Sequence, residues 1–248
     1  MRRFPLRALL LIACSFSALC ALPVARTGAQ KGPTSGGSDA SILETEILQE
    51  INRARTNPAA YAAYLDGLKP RFNGKEFKLA ERLTMTTQEG VAVVEEAASF
   101  LRSTAPVSQL AMSRGMCSGA RVLVGDQGTS GVTGHKGGDG SFCEQRIERY
   151  GAWNAPVGEN LSYGNDSARD RVVSLIVDDG VANRGHRKRI FDPAYKVAGV
   201  ACGTHQLGTM CVITFAGGFT DRTGAPAQAS VQSKSNATPP SPAGVKRF

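Results

Sequence analysis

Apolar residues recur at helical spacing in several stretches of the chain. Ile47, Leu48, Ile51 and Ala54 form one such stripe, and Ser41 followed by Glu44 has the pattern of a capping box that would open this helix. Pro58 after Asn57 can start a second helix, with Tyr61, Tyr64, Leu65 and Leu68 on its apolar side. The spacing predicts a third helix in TTQEGVAVVEEAASFLRS, despite Gly90, and a fourth from Ser113 to about Val124. A short helix is expected around Cys143 to Tyr150, and another carries Val172, Val173, Leu175 and Ile176 behind a cap at Asp166 or Ser167. The pattern then changes. KVAGVACG and TMCVITFAGG are short runs of small and β-branched residues, which predict a β-hairpin. Helices first and an antiparallel sheet late predict an α+β fold with helices packed on the sheet.

The two ends of the chain differ from this middle. Residues 1–29 place basic residues before an apolar run from Ala8 to about Ala25, and small residues follow. That is the layout of a secretory signal peptide, with Thr27-Gly28-Ala29 as the expected cleavage site. A retained anchor is one alternative; a lipoprotein attached at Cys14, in Leu11-Ile12-Ala13-Cys14, is another. With cleavage, the mature protein would carry no transmembrane segment and would be secreted or periplasmic. Residues 30–40 are a Gly/Ser/Pro spacer by composition, and 224–248 form a low-complexity tail. The folded domain is therefore expected over 41–223.

The formal net charge of +8 suggests nucleic acid until it is located. Arg2, Arg3, Arg7 and Arg26 lie in the leader, while Lys234, Lys246 and Arg247 lie in the tail, and neither segment carries an acid. What remains is nearly neutral, so a nucleic-acid partner loses its support. Of six cysteines, Cys14 and Cys20 fall in the leader. Cys202 and Cys211 flank GTHQLGTM inside the two strand-like runs, which makes a cross-hairpin disulfide geometrically easy; Cys117 and Cys143 are then left for each other.

Candidate chemistry rests on few residues. No HExxH, GxSxG or P-loop spacing occurs. The chain has three histidines. His135 follows Gly134 in a glycine-rich stretch, His186 follows Gly185 at the start of a short helix ended by Pro193, and His205 sits in the hairpin connection, where solvation is expected. Glycine before a histidine permits a sharp turn or a close backbone approach. His135, Glu159, Asp179 and His186 together supply two imidazoles and two carboxylates, each in or beside a turn. Neutral imidazoles can bind a divalent cation while carboxylates fix the distal ring N–H. The same groups could instead act as acid and base on water, with Glu159 as the candidate base, or simply brace a cleft wall. Ser162 reads as structural, the run Arg184, Arg187, Lys188 and Arg189 as a solvated helix face, and Trp153 as a packing residue.

Four segments carry a resemblance: EINRARTNP, the GH at 134–135 before GGDGSF, GENLSYG, and GHRKRIFDPAYKVAGVACG, in that order. They resemble the CAP superfamily of cysteine-rich secretory, antigen 5 and pathogenesis-related 1 proteins, whose bacterial members are called SCP-like. The resemblance covers roughly Ile42 to Phe219. It implies a three-layer α–β–α sandwich with a mainly antiparallel sheet and an open cleft holding two histidines and two acids. The family's first histidine matches His135, its GEN acid Glu159, and its GH histidine His186. The second acid, normally a glutamate near the end of the helix after GEN, falls at Asp179, with Asp178 adjacent and the register open by one residue. The aromatic residue usual on that helix is replaced by Ile176. Two functions are weighed. One is a secreted binding protein whose cleft takes Zn2+ or another divalent cation weakly through His135 and His186, and a small envelope or apolar ligand. The other is a metal-assisted hydrolase using the same tetrad. A zinc enzyme normally offers three protein ligands, so binding leads.

Overall fold

The structure is a computed structural model that describes the backbone of residues 36–80 and 83–222. The leader and the tail lie outside the described residues. Helix α1 runs Gly36–Thr56 and buries Ile47, Leu48, Ile51 and Ala54 as their spacing requires. It takes in residues 36–40, which composition assigns to a spacer, so Ser41 lies inside the helix and the expected capping box is not formed. Glu44 instead reaches the sheet, accepting from the backbone N–H of Cys202 at 2.9 Å. Helix α2, Pro58–Asp66, starts as read: Pro58 is in its first turn and the Asn57 side chain accepts from Ala60 N.

A three-stranded antiparallel sheet follows, made of β1 (Phe72–Asn73), β2 (Glu76–Ala80) and β3 (Leu83–Thr86). Gly74, at φ 59°, turns the chain between β1 and β2, in a stretch to which the sequence pattern assigns no element. Helix α3 begins at Val91 and ends at Ser103, with Gly90 as its N-cap at φ 71°. Strand β4 (Ala111–Met112) leads into α4, Arg114–Ser130, capped by the Ser113 side chain, which accepts from Met116 N. Helices α5 (Cys143–Glu148), α6 (Ala168–Val177) and α7 (Gly185–Phe191) flank the long strand β5 (Gly151–Gly164), and Ser167 caps α6. The chain closes with the hairpin β6 (Val197–His205) and β7 (Gly208–Asp221).

The main sheet has the order β4-β6-β7-β5, antiparallel except where β4 meets β6. Its two faces bury different residues. Val200, Cys202, Cys211, Ile213 and Phe215 pack against α1, α2, α3, α6 and α7. Ala201, Met210 and Val212 pack against Ala120, Leu123 and Val124 of α4, and Ala216 against Met116 and Ile147. Alternation along β6 and β7 thus serves two helical layers. The fold is α+β, an antiparallel sheet between helices.

Cys202 and Cys211 are directly opposed in the β6–β7 register, with Cα atoms 4.2 Å apart, and form a disulfide. The expected Cys117–Cys143 bond does not exist, because both are free thiols. The topology separates them. Cys117 Sγ accepts from Val200 N on β6, whereas Cys143 Sγ lies 3.6 Å from the Gly158 carbonyl on β5. Strand β7 stands between, so the two thiols sit against strands about 10 Å apart, beyond disulfide reach.

Candidate functional site

The first histidine is held by a loop fixed at both ends. Helix α4 ends at Gly131, φ 71°, and Gly134 at φ 108° turns the chain just before His135, a backbone conformation that favours glycine. Three side chains pin this loop. Gln127, buried in α4, donates to the Gly134 carbonyl. The Tyr163 hydroxyl donates to Gln127 Oε1 at 2.9 Å and accepts from Gly134 N at 3.1 Å. Burial pushes the Tyr163 pKa up, which keeps that hydroxyl a neutral donor. The third is His205, which is buried, contrary to its expected solvation. Its Nδ1 accepts from Leu207 N at 3.0 Å, so Nε2 carries the proton and donates to the Val132 carbonyl at 3.2 Å, while the ring packs on Tyr163.

Glu159 lies in β5 opposite Thr214 and is only 4% exposed. Its Oε1 is 3.0 Å from His135 Nδ1, and its Oε2 accepts from Arg146 at 2.6 Å. A carboxylate only accepts, so His135 presents Nδ1–H to it and leaves Nε2 on the outer side of the ring. Arg146 has no exposed surface; it also donates to the carbonyls of His135 and Ser141, at 3.1 and 2.7 Å. This arginine is absent from any motif-based reading. Its signal is positional: three residues after Cys143 and next to Ile147, it shares the buried face of α5.

The second histidine pairs with Asp178, not Asp179. Asp178 ends α6 in the left-handed region at φ 59°, which turns its side chain back toward α7. Its Oδ1 lies 2.6 Å from His186 Nδ1, and its Oδ2 accepts from the backbone N–H of His186 at 2.9 Å. One buried carboxylate therefore both orients the ring and caps α7. Asp179 points elsewhere and accepts from Gln88 N and Glu89 N at 2.7 and 2.8 Å, before α3. Of the two aspartates that the open register allowed, Asp178 is therefore the one in contact with His186. Gly185 is not the turning residue before His186; Arg184 is, at φ 50°.

The basic run is only partly a solvated face: Lys188 is exposed, but Arg184 and Arg187 are held by partners. Arg184 bridges Glu89 and Glu96 and donates to the carbonyls of Asp178 and Val181. Arg187 is buried; it donates to the carbonyls of Ile176 and Val177 and pairs with Glu96 at 2.7 Å. Arg184 holds the Glu89 carboxyl down to about 2. These arginines lock α7 to α3 and α6. Ser162 is structural, accepting from the buried Arg171 at 3.0 Å. Trp153 packs beside Met116 and Ile147.

The two histidine pairs meet at one strand. Glu159 and Asn160 are successive residues of β5, an edge of the main sheet, and so face opposite sides. Glu159 engages His135, while Asn160 Nδ2 donates to the His186 carbonyl at 3.2 Å. Gly158 permits close packing: a Cβ there would lie 2.7 Å from the Tyr195 hydroxyl. Both rings reach solvent, His135 at 45% and His186 at 25% side-chain exposure. As donors they fit a cation only in part. Both acids are committed to Nδ1 atoms, and among the described residues no three His, Cys, Asp or Glu side chains group to hold a metal.

The family model described as the cysteine-rich secretory protein family, CAP, matches residues 48–215. The chain belongs to the CAP family. No curated protein matches it. Among solved structures, an extracellular protein containing a SCP domain from Bacillus anthracis is similar at 13% identity with a TM-score of 0.35. That match covers 51% of this CAP chain and 37% of the other. All four tetrad residues lie inside the family-matched span.

Proposed function

We propose that this CAP protein is exported and that its two histidines bind a divalent cation, zinc among the candidates, at modest affinity beside a small envelope or apolar ligand. What carries the reading is the shared pattern of the two rings: each Nδ1 lies against a buried carboxylate oxygen, and each side chain reaches solvent. His135 and His186 would hold the ion and water would complete its shell, which leaves the affinity well below that of a closed four-ligand zinc site. Export follows from the leader's layout and is in keeping with an extracellular SCP-domain protein among the similar structures.

Binding is favoured over metal-assisted hydrolysis by the state of Glu159. Both its oxygens are engaged, one by His135 and one by Arg146, and it is almost fully buried. A general base must reach the proton it abstracts. Zinc calorimetry at neutral pH on the wild type, His135→Ala and His186→Ala tests the proposal. One weak site that both substitutions remove is expected; a wild type that takes up no heat, or variants that bind equally well, would leave the tetrad a polar brace.

A further inference from the structure

At the edge of the main sheet opposite to β5, two sulfur atoms meet. Met112 closes β4, and its Sδ lies 3.5 Å from the Sγ of Cys117 in the first turn of α4. Met112 is 42% exposed and Cys117 is half-buried, so the pair opens to solvent. The thiol has a second contact. Where β4 ends, the Val200 N–H faces an unpaired edge of β6, and Cys117 Sγ accepts it at 3.3 Å. With sulfur lone pairs engaged by that N–H, the thiol's own proton is the donor toward Met112. A single proton therefore lies between a thiol and a thioether.

We propose that Met112 and Cys117 form a site for a soft monovalent cation, copper(I) or silver(I), which takes the place of that proton. The exchange is balanced without redox chemistry: the cation bonds to both sulfurs, the S–H bond breaks, and one proton leaves to solvent. Thiolate and thioether are the donors that select such ions, while a thioether offers little to hard cations such as magnesium or calcium. The geometry is close to what is needed. Zinc–thiolate bonds are about 2.3 Å, and bonds of at least that length would let one ion span two sulfurs somewhat further apart than 3.5 Å. Met112 supplies the adjustment through its flexible side chain. Cys117 is the fixed partner. Ser113 N donates to the Ala198 carbonyl at 2.9 Å and its side chain caps α4, while Gly199 of β6 leaves no room for a Cβ against Met116 and Cys117.

Electrostatics sets the conditions of binding. Burial raises the Cys117 pKa, opposed by the Val200 N–H; Glu44 raises it further and Arg121 lowers it. Proton and cation therefore compete at neutral pH, and binding should weaken as pH falls. Capping the β6 edge does not account for both sulfurs, because a serine hydroxyl could accept the Val200 N–H and that role needs no exposed methionine. The site lies apart from the histidine pairs and does not depend on the proposal for them.

The test uses the full-length chain with the Cys202–Cys211 disulfide intact and Cys117 and Cys143 as thiols. Silver(I) is titrated in chloride-free buffer, and copper(I) is offered in competition with bathocuproine disulfonate. Wild type should retain one equivalent more than Cys117→Ser, and Met112→Leu should bind that equivalent at least about tenfold more weakly. Cys143→Ser, whose thiol is buried, should match wild type. Equal stoichiometry in wild type and Cys117→Ser would overturn the proposal. So would unchanged affinity in Met112→Leu, a surface substitution that decides the matter even if loss of the thiol disturbs folding.

Discussion

His186 and Asp178 are joined twice: Nδ1 of the ring lies 2.6 Å from one carboxylate oxygen, and the histidine's backbone N–H donates to the other at 2.9 Å. The neighbouring Asp179 makes no contact with the ring and instead accepts two N–H groups ahead of α3. Adjacent aspartates therefore have separable roles. Asp178→Asn should weaken zinc binding about 10- to 100-fold, the range for losing an orienting partner of a ligand. Asp179→Ala should leave it unchanged and lower stability by about 1 kcal/mol through loss of its bonds from the backbone N–H groups of Gln88 and Glu89. Calorimetry and urea unfolding of the two variants separate these outcomes; equal loss of binding in both would contradict the pairing.

Arg146 and Glu159 are a buried ion pair at 2.6 Å. Arg146→Met leaves a nearly inaccessible carboxylate facing His135 alone, and should cost about 3–5 kcal/mol. Denaturant unfolding measures this. A loss below 1 kcal/mol would mean that water reaches Glu159 readily.

Peptide mapping under non-reducing conditions should recover Cys202 joined to Cys211, and Cys117 and Cys143 alkylated after denaturation. In the folded protein Cys117 should react before Cys143, whose pKa burial raises well above its usual value. The nine-residue separation of the disulfide corresponds to roughly 2–3 kcal/mol of stability. A Cys117–Cys143 peptide would contradict the sheet topology described above.

Acid should loosen the lock between α3 and α7. Arg184 depresses Glu89 to about 2 and, with Arg187, also lowers Glu96. A depressed carboxylate contributes stability above its unfolded pKa and loses it as pH falls through the folded value. The Glu89 contribution should therefore fade between about pH 4.5 and 2. Stability measured across that window should fall less steeply in Glu89→Gln; identical slopes would contradict the coupling.

Much of this was legible in the sequence for physical reasons. Helical spacing exposed the buried stripe of α1, Asn57-Pro58 marked the start of α2, and the opposed runs around Cys202 and Cys211 gave the hairpin and its disulfide. The His135–Glu159 pair followed from the motif resemblance, and His186 with it. What was hidden depends on conformation that composition does not encode. The left-handed backbone at Asp178 and Arg184 decides which aspartate meets His186. Arg184 and Arg187 look solvated in a basic string, yet each sits among carbonyls and carboxylates brought from α3 and α6. His205 became a brace for the His135 loop only through a hairpin turn that folds Leu207 N onto its ring.

The most direct test of the cation proposal reads the imidazole nitrogens themselves. Long-range 1H–15N spectra of the histidine rings, recorded during zinc titration of the full chain at neutral pH, distinguish Nδ1 from Nε2. Protonated Nδ1 in both His135 and His186, and zinc-dependent shifts at both Nε2 nitrogens that saturate together, is the expected result. Rings that do not respond, or a response at His205 alone, would contradict it.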